Sequence, residues 1–243
     1  MQAASLLERA IAAIAARSLS HFGRYRLDLS PADLRALKIS FSQFGEDLVI
    51  AEHLLNLRRP KRGIYVDAGC FDPVKFSNTR LLHLLGWRGI NIDACPEAIR
   101  RFEKERPGDI NLCAALAGSE ETNEFIETES GASSRLARGA APLRQGAGIR
   151  GRTQVTTQTL RALIDASALS DQAVDFLDID CEGIDFEVLK GFDLTSRKPV
   201  LICIEAHGEE ERNRLMSYLG GRGYRFLCDR GPSLLFREES TLS

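Results

Sequence analysis

The segment GIYVDAGCFDP, residues 63–73, decides the fold of this chain. A short apolar run begins at Ile64 and ends in Asp67, and Gly69 follows two residues later. A run of this length, bounded by Gly and Pro, is typical of a buried β-strand. An acidic residue at the end of such a strand is typical of a sheet whose carboxyl edge faces a ligand. We therefore predict a buried strand here, with a functional turn directly after it.

Four further segments repeat this pattern: GINIDACPEA (89–98), DINLCAALAGS (109–119), AVDFLDIDCEG (173–183) and PVLICIEAHG (199–208). Helical periodicity separates the segments, which predicts an α/β fold with a mostly parallel, doubly wound, Rossmann-like sheet. The chain closes with two predicted strands, Tyr224 to Cys228 and Leu234 to Arg237, joined by a turn. A sheet that ends in an antiparallel hairpin is the class I methyltransferase arrangement, whereas nucleotide dehydrogenases keep parallel strands.

Size and charge narrow the class of protein further. The 243 residues are 44% hydrophobic and carry a formal net charge of -2, which argues against a nucleic-acid partner. No stretch approaches the roughly 20 apolar residues of a membrane span, and we expect a cytoplasmic protein. We predict a helical extension over residues 1–39, followed by the main domain over residues 40–243. The apolar helix from Ala3 to Ala16 would make a reasonable homodimer contact.

The turn after the first strand lacks the dinucleotide fingerprint G-x-G-x-x-G, since residues 71 and 74 are Phe and Val. Asp67 and Asp72 would repel a pyrophosphate but would attract a sulfonium cation, which points to S-adenosylmethionine. Asp93, at the end of the second strand, is in the position that accepts ribose hydroxyls in many nucleotide sites. The alternative is that Asp93 is a solvated loop acid or only caps the helix beginning at Pro96.

The segment DFLDIDCEG contributes a second group of acids. Because strand side chains alternate, Asp178 and Asp180 share one face, and Asp180 and Glu182 emerge at the carboxyl edge of the sheet. These two acids could bind substrate hydroxyls, act as a general base, or ligate Mg²⁺ together with Glu205. The alternative for Asp178 is a cap or an ion pair with a neighbouring Arg or Lys.

Two other features could take part in the reaction. His207 follows the fifth strand, and its ordinary pKa of about 6.5 suits a base for a sugar hydroxyl; the alternative is a surface loop histidine. Residues 130–152 lack apolar periodicity and read as a long loop, either solvated or a lid over an anionic substrate. That section contains five arginines, Arg135, Arg138, Arg144, Arg150 and Arg152.

Four motifs give the chain a specific resemblance: SQFGEDLVI, YVDAGCFDPVKFSNT, GWRGINIDACPE and DFLDIDCEGIDFEVLKG. In this order they resemble the FkbM family of S-adenosylmethionine-dependent methyltransferases, over roughly residues 40 to 238. The resemblance implies a Rossmann-like fold and O-methylation of a saccharide or natural product. It also implies cofactor-binding roles for Gln43, Asp47, Asp67, Gly69, Ser77, Asn78 and Asp93.

We therefore expect a methyltransferase that acts on a hydroxyl of a carbohydrate or related small metabolite, with Asp180, Glu182 and His207 as catalytic candidates. Asp180, Glu182 and Glu205 are the candidate Mg²⁺ ligands. Two alternatives stay open: a nicotinamide-dependent oxidoreductase and a non-catalytic Rossmann-like binding module.

Overall fold

The computed structural model describes residues 38–55, 62–131, 133–138 and 148–242. Residues Ser40 to Ser243 form one compact unit. The predicted extension over residues 1–39 lies outside the described residues except for its last two, so it stays a prediction. Among the described helices, none has the length and apolar character that crossing a membrane requires.

The described chain contains eleven strands and six α-helices. The strands are β1 (Ile64–Ala68), β2 (Arg88–Asp93), β3 (Ile110–Cys113), β4 (Ala115–Leu116), β5 (Thr122–Thr128), β6 (Arg135–Leu136), β7 (Ile149–Gln158), β8 (Phe176–Ile179), β9 (Leu201–Glu205), β10 (Tyr224–Arg230) and β11 (Ser233–Glu238). The helices are α1 (Glu46–Leu55), α2 (Arg80–Leu84), α3 (Pro96–Glu105), α4 (Leu160–Asp165), α5 (Asp185–Lys190) and α6 (Glu209–Gly220). A 3₁₀ turn, Glu239–Leu242, follows the last strand.

The main sheet has seven strands in the order β10-β11-β9-β8-β1-β2-β3. The five strands from β9 to β3 are parallel, and β11 and β10 are added antiparallel at one edge. The predicted doubly wound sheet with a closing antiparallel hairpin is therefore confirmed. The strand order reverses between β1 and β8, and ligands of such sheets bind at this switch point, beyond the carboxyl ends of the strands.

The sheet is buried on both faces, which explains its nearly continuous apolar strands. Successive residues of one strand point to opposite faces. Val66 and Leu177 belong to one core cluster, which also contains residues of α4, α5 and α6. Tyr65 and Phe176 belong to a second cluster, on the face covered by α1 and α2. The sheet edge that carries the acids is thus held rigidly from both sides.

A second, smaller sheet in the order β4-β7-β5-β6 corrects two sequence-based expectations. The predicted third strand, Ile110 to Leu116, is divided, because β3 joins the main sheet whereas β4 pairs with β7. The predicted loop over residues 130–152 contains β6 and the first part of β7, both of which pair antiparallel with β5. Residues 139–147, with Arg144, lie outside the described residues.

Candidate active site

A cleft, called the central cleft, lies at the carboxyl ends of β1, β2, β8 and β9. Its described lining is strongly acidic. Seven carboxylate side chains line it, those of Glu46, Asp67, Asp93, Asp178, Asp180, Glu182 and Glu205. This acidic lining stands at the switch point of the sheet and suits a ligand that carries a cationic group or hydroxyl donors.

Gly69 follows β1 directly and lines the central cleft, at the point where the ends of β1, β2 and β8 meet. Its φ of +89° is one that L side chains rarely adopt, and a Cβ built on it would lie 1.8 Å from the carbonyl oxygen of Asp180. Its own N–H donates to the carbonyl of Ile92 at 2.8 Å. Only glycine fits here, because any side chain would separate the end of β1 from the end of β8.

Asp93 lies at the end of β2, as predicted, and lines the cleft. Its carboxylate accepts the N–H of Cys95 at 2.6 Å and the N–H of Phe71 at 3.2 Å. Burial raises the pKa of Asp93 to about 6, although these two hydrogen bonds oppose the shift. Asp93 thus orders the turn before α3, and the further lone pairs of its oxygens are available to hydroxyl donors in the cleft.

Asp67 and Asp178 are direct neighbours across β1 and β8. The Thr79 hydroxyl donates to Asp67 at 2.5 Å, and the side-chain amide of Asn78 donates to Asp178 at 3.1 Å. Burial raises the pKa of both carboxyl groups, and their mutual repulsion raises that of Asp178 further. Among the described residues, Asp178 is therefore held by the amide of Asn78, and no ion pair with an Arg or Lys is seen there.

Arg106 is a buried cation that the sequence analysis missed. It is fully buried and its guanidinium donates to Thr79 Oγ1 at 2.8 Å, to Ser77 Oγ at 2.9 Å and to the carbonyl of Pro73 at 2.7 Å. Its charge lowers the pKa of Asp67 against the effect of burial. Ser77 lines the cleft, as predicted, but its hydroxyl already accepts this hydrogen bond. No motif in the sequence marks Arg106, because its partners are distant along the chain.

The segment before α1 contributes different residues from those predicted. Gln43 lines the cleft as expected, but Asp47 does not. The buried Asp47 carboxylate accepts the Ser40 hydroxyl at 2.6 Å and the Phe41 N–H at 2.7 Å, so it holds the loop that precedes the helix. Its neighbour Glu46, which we had not selected, lines the cleft. The sequence signal that could have identified Glu46 is an acidic residue in the first turn of a helix, directly after a glycine.

The loop after β8 carries Asp180 and Glu182, two of the catalytic candidates selected from the sequence. Asp180 is exposed to the cleft, yet enclosure by the protein raises its pKa well above the usual range. The nearby carboxylates of Glu205, Asp185 and Glu182 raise that pKa further, in this order of size. Glu182 has a φ of 53°, an uncommon conformation for a residue with a side chain. The loop therefore presents a carboxyl group that holds a proton more tightly than an ordinary aspartate.

His207 lies behind these acids and does not line the cleft. Its Nε2 lies 2.9 Å from Glu205 Oε2 and 3.9 Å from Asp185 Oδ2. The hydrogen bond to Glu205 raises the pKa of His207 to about 9, against the opposing effect of burial. We had expected an imidazole with a pKa near 6.5 as a base. A base must start as the neutral imidazole, and the raised pKa weighs against that role, so the assignment of His207 as the base stays a prediction.

A group of three potential metal ligands lies at the same position. Asp185, Glu205 and His207 each offer one ligand atom, and these atoms all lie within 4.8 Å of one another. The predicted set was Asp180, Glu182 and Glu205, so the two sets have only Glu205 in common. Two carboxylates with one imidazole suit first-row transition ions better than Mg²⁺, which prefers oxygen ligands.

The sheet order, the closing hairpin and the acidic cleft at the carboxyl edge define a Rossmann-like methyltransferase fold. The comparison with protein families agrees. The model described as "Methyltransferase FkbM domain" matches residues 67–226. The chain belongs to the FkbM methyltransferase family, which confirms the resemblance carried by the four sequence motifs.

The chain was also compared with solved structures and with curated proteins. The crystal structure of the N-terminal domain of human METTL16 aligns with a TM-score of 0.45 and 12% sequence identity, over 96% of this chain and 82% of that chain. That likeness is too distant to inform the site. No curated protein matches the sequence.

Proposed function

We propose that this protein transfers a methyl group from S-adenosylmethionine to a hydroxyl of a carbohydrate or related metabolite. The observation that carries the proposal is the central cleft, in which seven carboxylates surround the switch point of a parallel sheet. A cleft of this charge attracts a ligand with a sulfonium and an ammonium group. The same charge disfavours the pyrophosphate of a nicotinamide cofactor, and the glycine fingerprint for that group is missing.

The residues fit the cofactor in chemistry as well as in charge. Asp93 would accept the ribose hydroxyls, and Gly69 lines the cleft in the turn after β1. Gln43, Ser77 and Asn78 line the cleft together with Asp67 and supply polar groups for the amino-acid part. When bound, the cofactor supplies an electrophilic methyl group on a sulfonium. The protein then has to orient an acceptor hydroxyl and remove its proton.

Asp180 is our candidate for the general base. It is exposed at the end of β8 and lines the cleft, where its carboxylate could accept the proton of an acceptor hydroxyl. Glu182 lines the cleft two residues later and would hold a neighbouring hydroxyl of the acceptor. His207 Nε2 lies 2.9 Å from Glu205 Oε2, so without a bound metal ion His207 would act through Glu205 and not as the base itself.

A divalent cation is a further element of the proposal, and Asp185, Glu205 and His207 are the residues that would hold it. The cation would reduce the repulsion among the acids next to Asp180. Full methyl transfer after treatment with a chelator would exclude the cation, whereas activity restored by Mg²⁺ or Mn²⁺ would make Glu205→Gln the first variant to test.

The proposal is tested by measuring S-adenosylhomocysteine formation by the full chain with a panel of sugars, sugar acids and sugar phosphates as acceptors. Asp180→Asn should lower kcat about 10²–10⁴-fold, the usual contribution of a general base, and leave cofactor affinity unchanged. The matched control is Asp171→Asn, an exposed aspartate in a turn. Full activity of Asp180→Asn would exclude Asp180 as the base.

Reduction or oxidation of a nicotinamide cofactor in the same cleft would favour the oxidoreductase, and ligand binding without turnover on any acceptor would favour the binding module.

A further inference from the structure

The four described arginines of the section 130–152 fall into two groups, which the sequence alone did not separate. Three of them pair with glutamates of β5 or of the turn before it. Arg138 lies 2.5 Å from Glu121, Arg150 lies 3.2 Å from Glu127, and Arg152 lies 2.5 Å from Glu124. These three side chains are solvent-accessible and already neutralised, so they supply little attraction for an anionic ligand.

Arg135 differs from these three in both position and partners. It lies in β6, pairs through its backbone with Ile126 of β5, and lines the central cleft. Its Nε and Nη1 are shielded from solvent and have no hydrogen-bond partner in the described part of the chain. Buried donors of a charged group are costly to leave unsatisfied. A guanidinium held in this way is suited to a ligand that supplies the missing acceptors.

The charged residues around Arg135 in the cleft set it apart from the rest of the lining. Among the described lining residues there are seven carboxylates, and Arg135 is the one Lys or Arg. The carboxylates come from α1 and from the ends of β1, β2, β8 and β9, whereas Arg135 belongs to the second sheet. The main sheet therefore presents negative charge to the cleft, and the second sheet presents a single positive charge.

The neighbours of β6 show which part of the cleft it adjoins. A Cβ built on Gly131, in the turn before β6, would lie 3.4 Å from the Phe71 ring, which belongs to the turn after β1. Leu136, next to Arg135, belongs to the same core cluster as Ile184, which follows the Asp180 loop. The turn before β6 thus adjoins the turn after β1, and β6 lines the same cleft as the loop that carries the candidate base.

We infer that Arg135 binds an oxyanion of the methyl acceptor, so that the acceptor class is a sugar acid or a sugar phosphate. This inference rests on the proposed function, because it assigns the acidic floor to the cationic cofactor. A guanidinium carries a fixed positive charge and several N–H donors, and the charged oxygens of a carboxylate or phosphate are its strongest hydrogen-bond acceptors. A neutral sugar offers only hydroxyl oxygens, which form weaker hydrogen bonds with a guanidinium than a charged oxyanion does, so we expect it to bind less tightly.

The experiment titrates the full chain, saturated with S-adenosylhomocysteine, with glucuronate, glucose 6-phosphate and glucose in a calorimeter. At least one anionic probe should bind about tenfold or more tightly than glucose, the effect of one charge-assisted hydrogen bond. The relative affinity of glucuronate and glucose 6-phosphate distinguishes a carboxylate from a phosphate. Equal binding of all three probes, or no binding of either anion, would overturn the inference.

Variants test whether the anionic probe binds to Arg135 itself or is attracted by the positive charge of the surface in general. R135Q should remove the advantage of the anionic probe, R135K should keep part of it, and the matched control R138Q should keep all of it. R135Q should leave the affinity for S-adenosylhomocysteine nearly unchanged. If R135Q instead weakens S-adenosylhomocysteine and leaves the anionic probe unaffected, Arg135 binds the cofactor carboxylate and the inference is wrong.

One outcome concerns the proposed function alone. If the folded wild-type chain does not bind S-adenosylhomocysteine, the same three probes are titrated without it. Binding of an anionic probe that depends on Arg135 but not on Arg138 would then support the anion site while contradicting the methyltransferase cofactor. Loss of both kinds of binding would reject the two proposals together.

Discussion

Gly69 is the residue at which the fold and the site depend on each other most directly. Its positive φ and its contact with the Asp180 carbonyl bring the end of β1 against the end of β8. The candidate cofactor turn and the candidate base are therefore adjacent because residue 69 has no side chain. This contact, and not ligand binding alone, explains the glycine.

Gly69→Ala should destabilise the protein strongly, and two other glycines provide matched controls. Gly45 has a φ of +81° with no atom near its virtual Cβ, whereas Gly151 has neither a positive φ nor a close neighbour. Gly45→Ala should cost about 1–2 kcal/mol, from backbone strain alone. Gly69→Ala should cost at least about 2 kcal/mol more, because the new Cβ overlaps a carbonyl oxygen. Gly151→Ala should change the free energy of unfolding by less than about 0.5 kcal/mol. Chemical denaturation measures all three, and equal losses for Gly69 and Gly45 would contradict the packing argument.

His207 should make stability depend on pH in a predictable direction. Its folded-state pKa of about 9 lies above the ordinary value of 6.5, so its contribution is fully present below pH 6.5. That contribution should be lost as pH rises from 6.5 through 9, on the order of 2–3 kcal/mol in total. Denaturation curves in chelator-containing buffer should show this decline for the wild type and a smaller one for His207→Gln. Parallel declines in the two proteins would mean that the Glu205 contact does not raise the pKa of His207.

At the residue scale, the sequence predicted the acids that end strands but not the residues that surround them. Asp67, Asp93 and Asp180 follow apolar runs, so their place at the carboxyl edge could be inferred from strand periodicity. Arg106 and Arg135 could not be found in this way, because their importance comes from burial and from partners far away in sequence. The raised pKa of His207 likewise depends on a hydrogen bond that no spacing rule predicts.

At the scale of elements, β7 shows why a long segment was mistaken for a loop. Most side chains on both faces of β7 are at least partly exposed, so the strand has no apolar alternation over residues 149–154. The strand is stabilised by its backbone pairing with β5 and β4, and cross-strand Arg–Glu pairs accompany that pairing. Periodicity detects strands that bury one face, and it misses those held mainly by backbone hydrogen bonds.

Limited proteolysis distinguishes a packed strand from a lid. A lid would be cut by trypsin at Arg150 and Arg152 in the free protein. Because both residues lie within β7, we expect these two bonds to be cut slowly, with rates that follow global unfolding. Mass spectrometry of early fragments makes the measurement, and added denaturant that accelerates these cuts is the control. Rapid cutting at Arg150 and Arg152 in native buffer would show that β7 opens locally.

At the scale of the whole molecule, the main sheet was predictable and the second sheet was not. Five apolar runs with intervening helical patterns specify a doubly wound sheet, because each strand is buried on both faces. The small sheet is built from short or polar strands, so its pairing depends on tertiary contacts. The acids that line the cleft at the strand ends could therefore be predicted from the sequence. Arg135, the one Lys or Arg among the described lining residues, belongs to the second sheet, and its place in the cleft is known only from the folded structure.

The central claim is that the acidic cleft binds an S-adenosyl cofactor through Asp93, and a calorimetric titration with S-adenosylhomocysteine tests it most directly. The wild type should bind S-adenosylhomocysteine but not NAD⁺. Asp93→Ala should weaken binding by about 1.5–3 kcal/mol, or roughly ten- to a hundredfold, because two charge-assisted hydrogen bonds are lost. Asp93→Asn, which keeps one acceptor oxygen for the turn, should lose less, and the exposed Asp171→Ala should lose nothing. The account would be contradicted by a folded wild-type protein that does not bind S-adenosylhomocysteine, or by folded Asp93 variants that bind it with unchanged affinity.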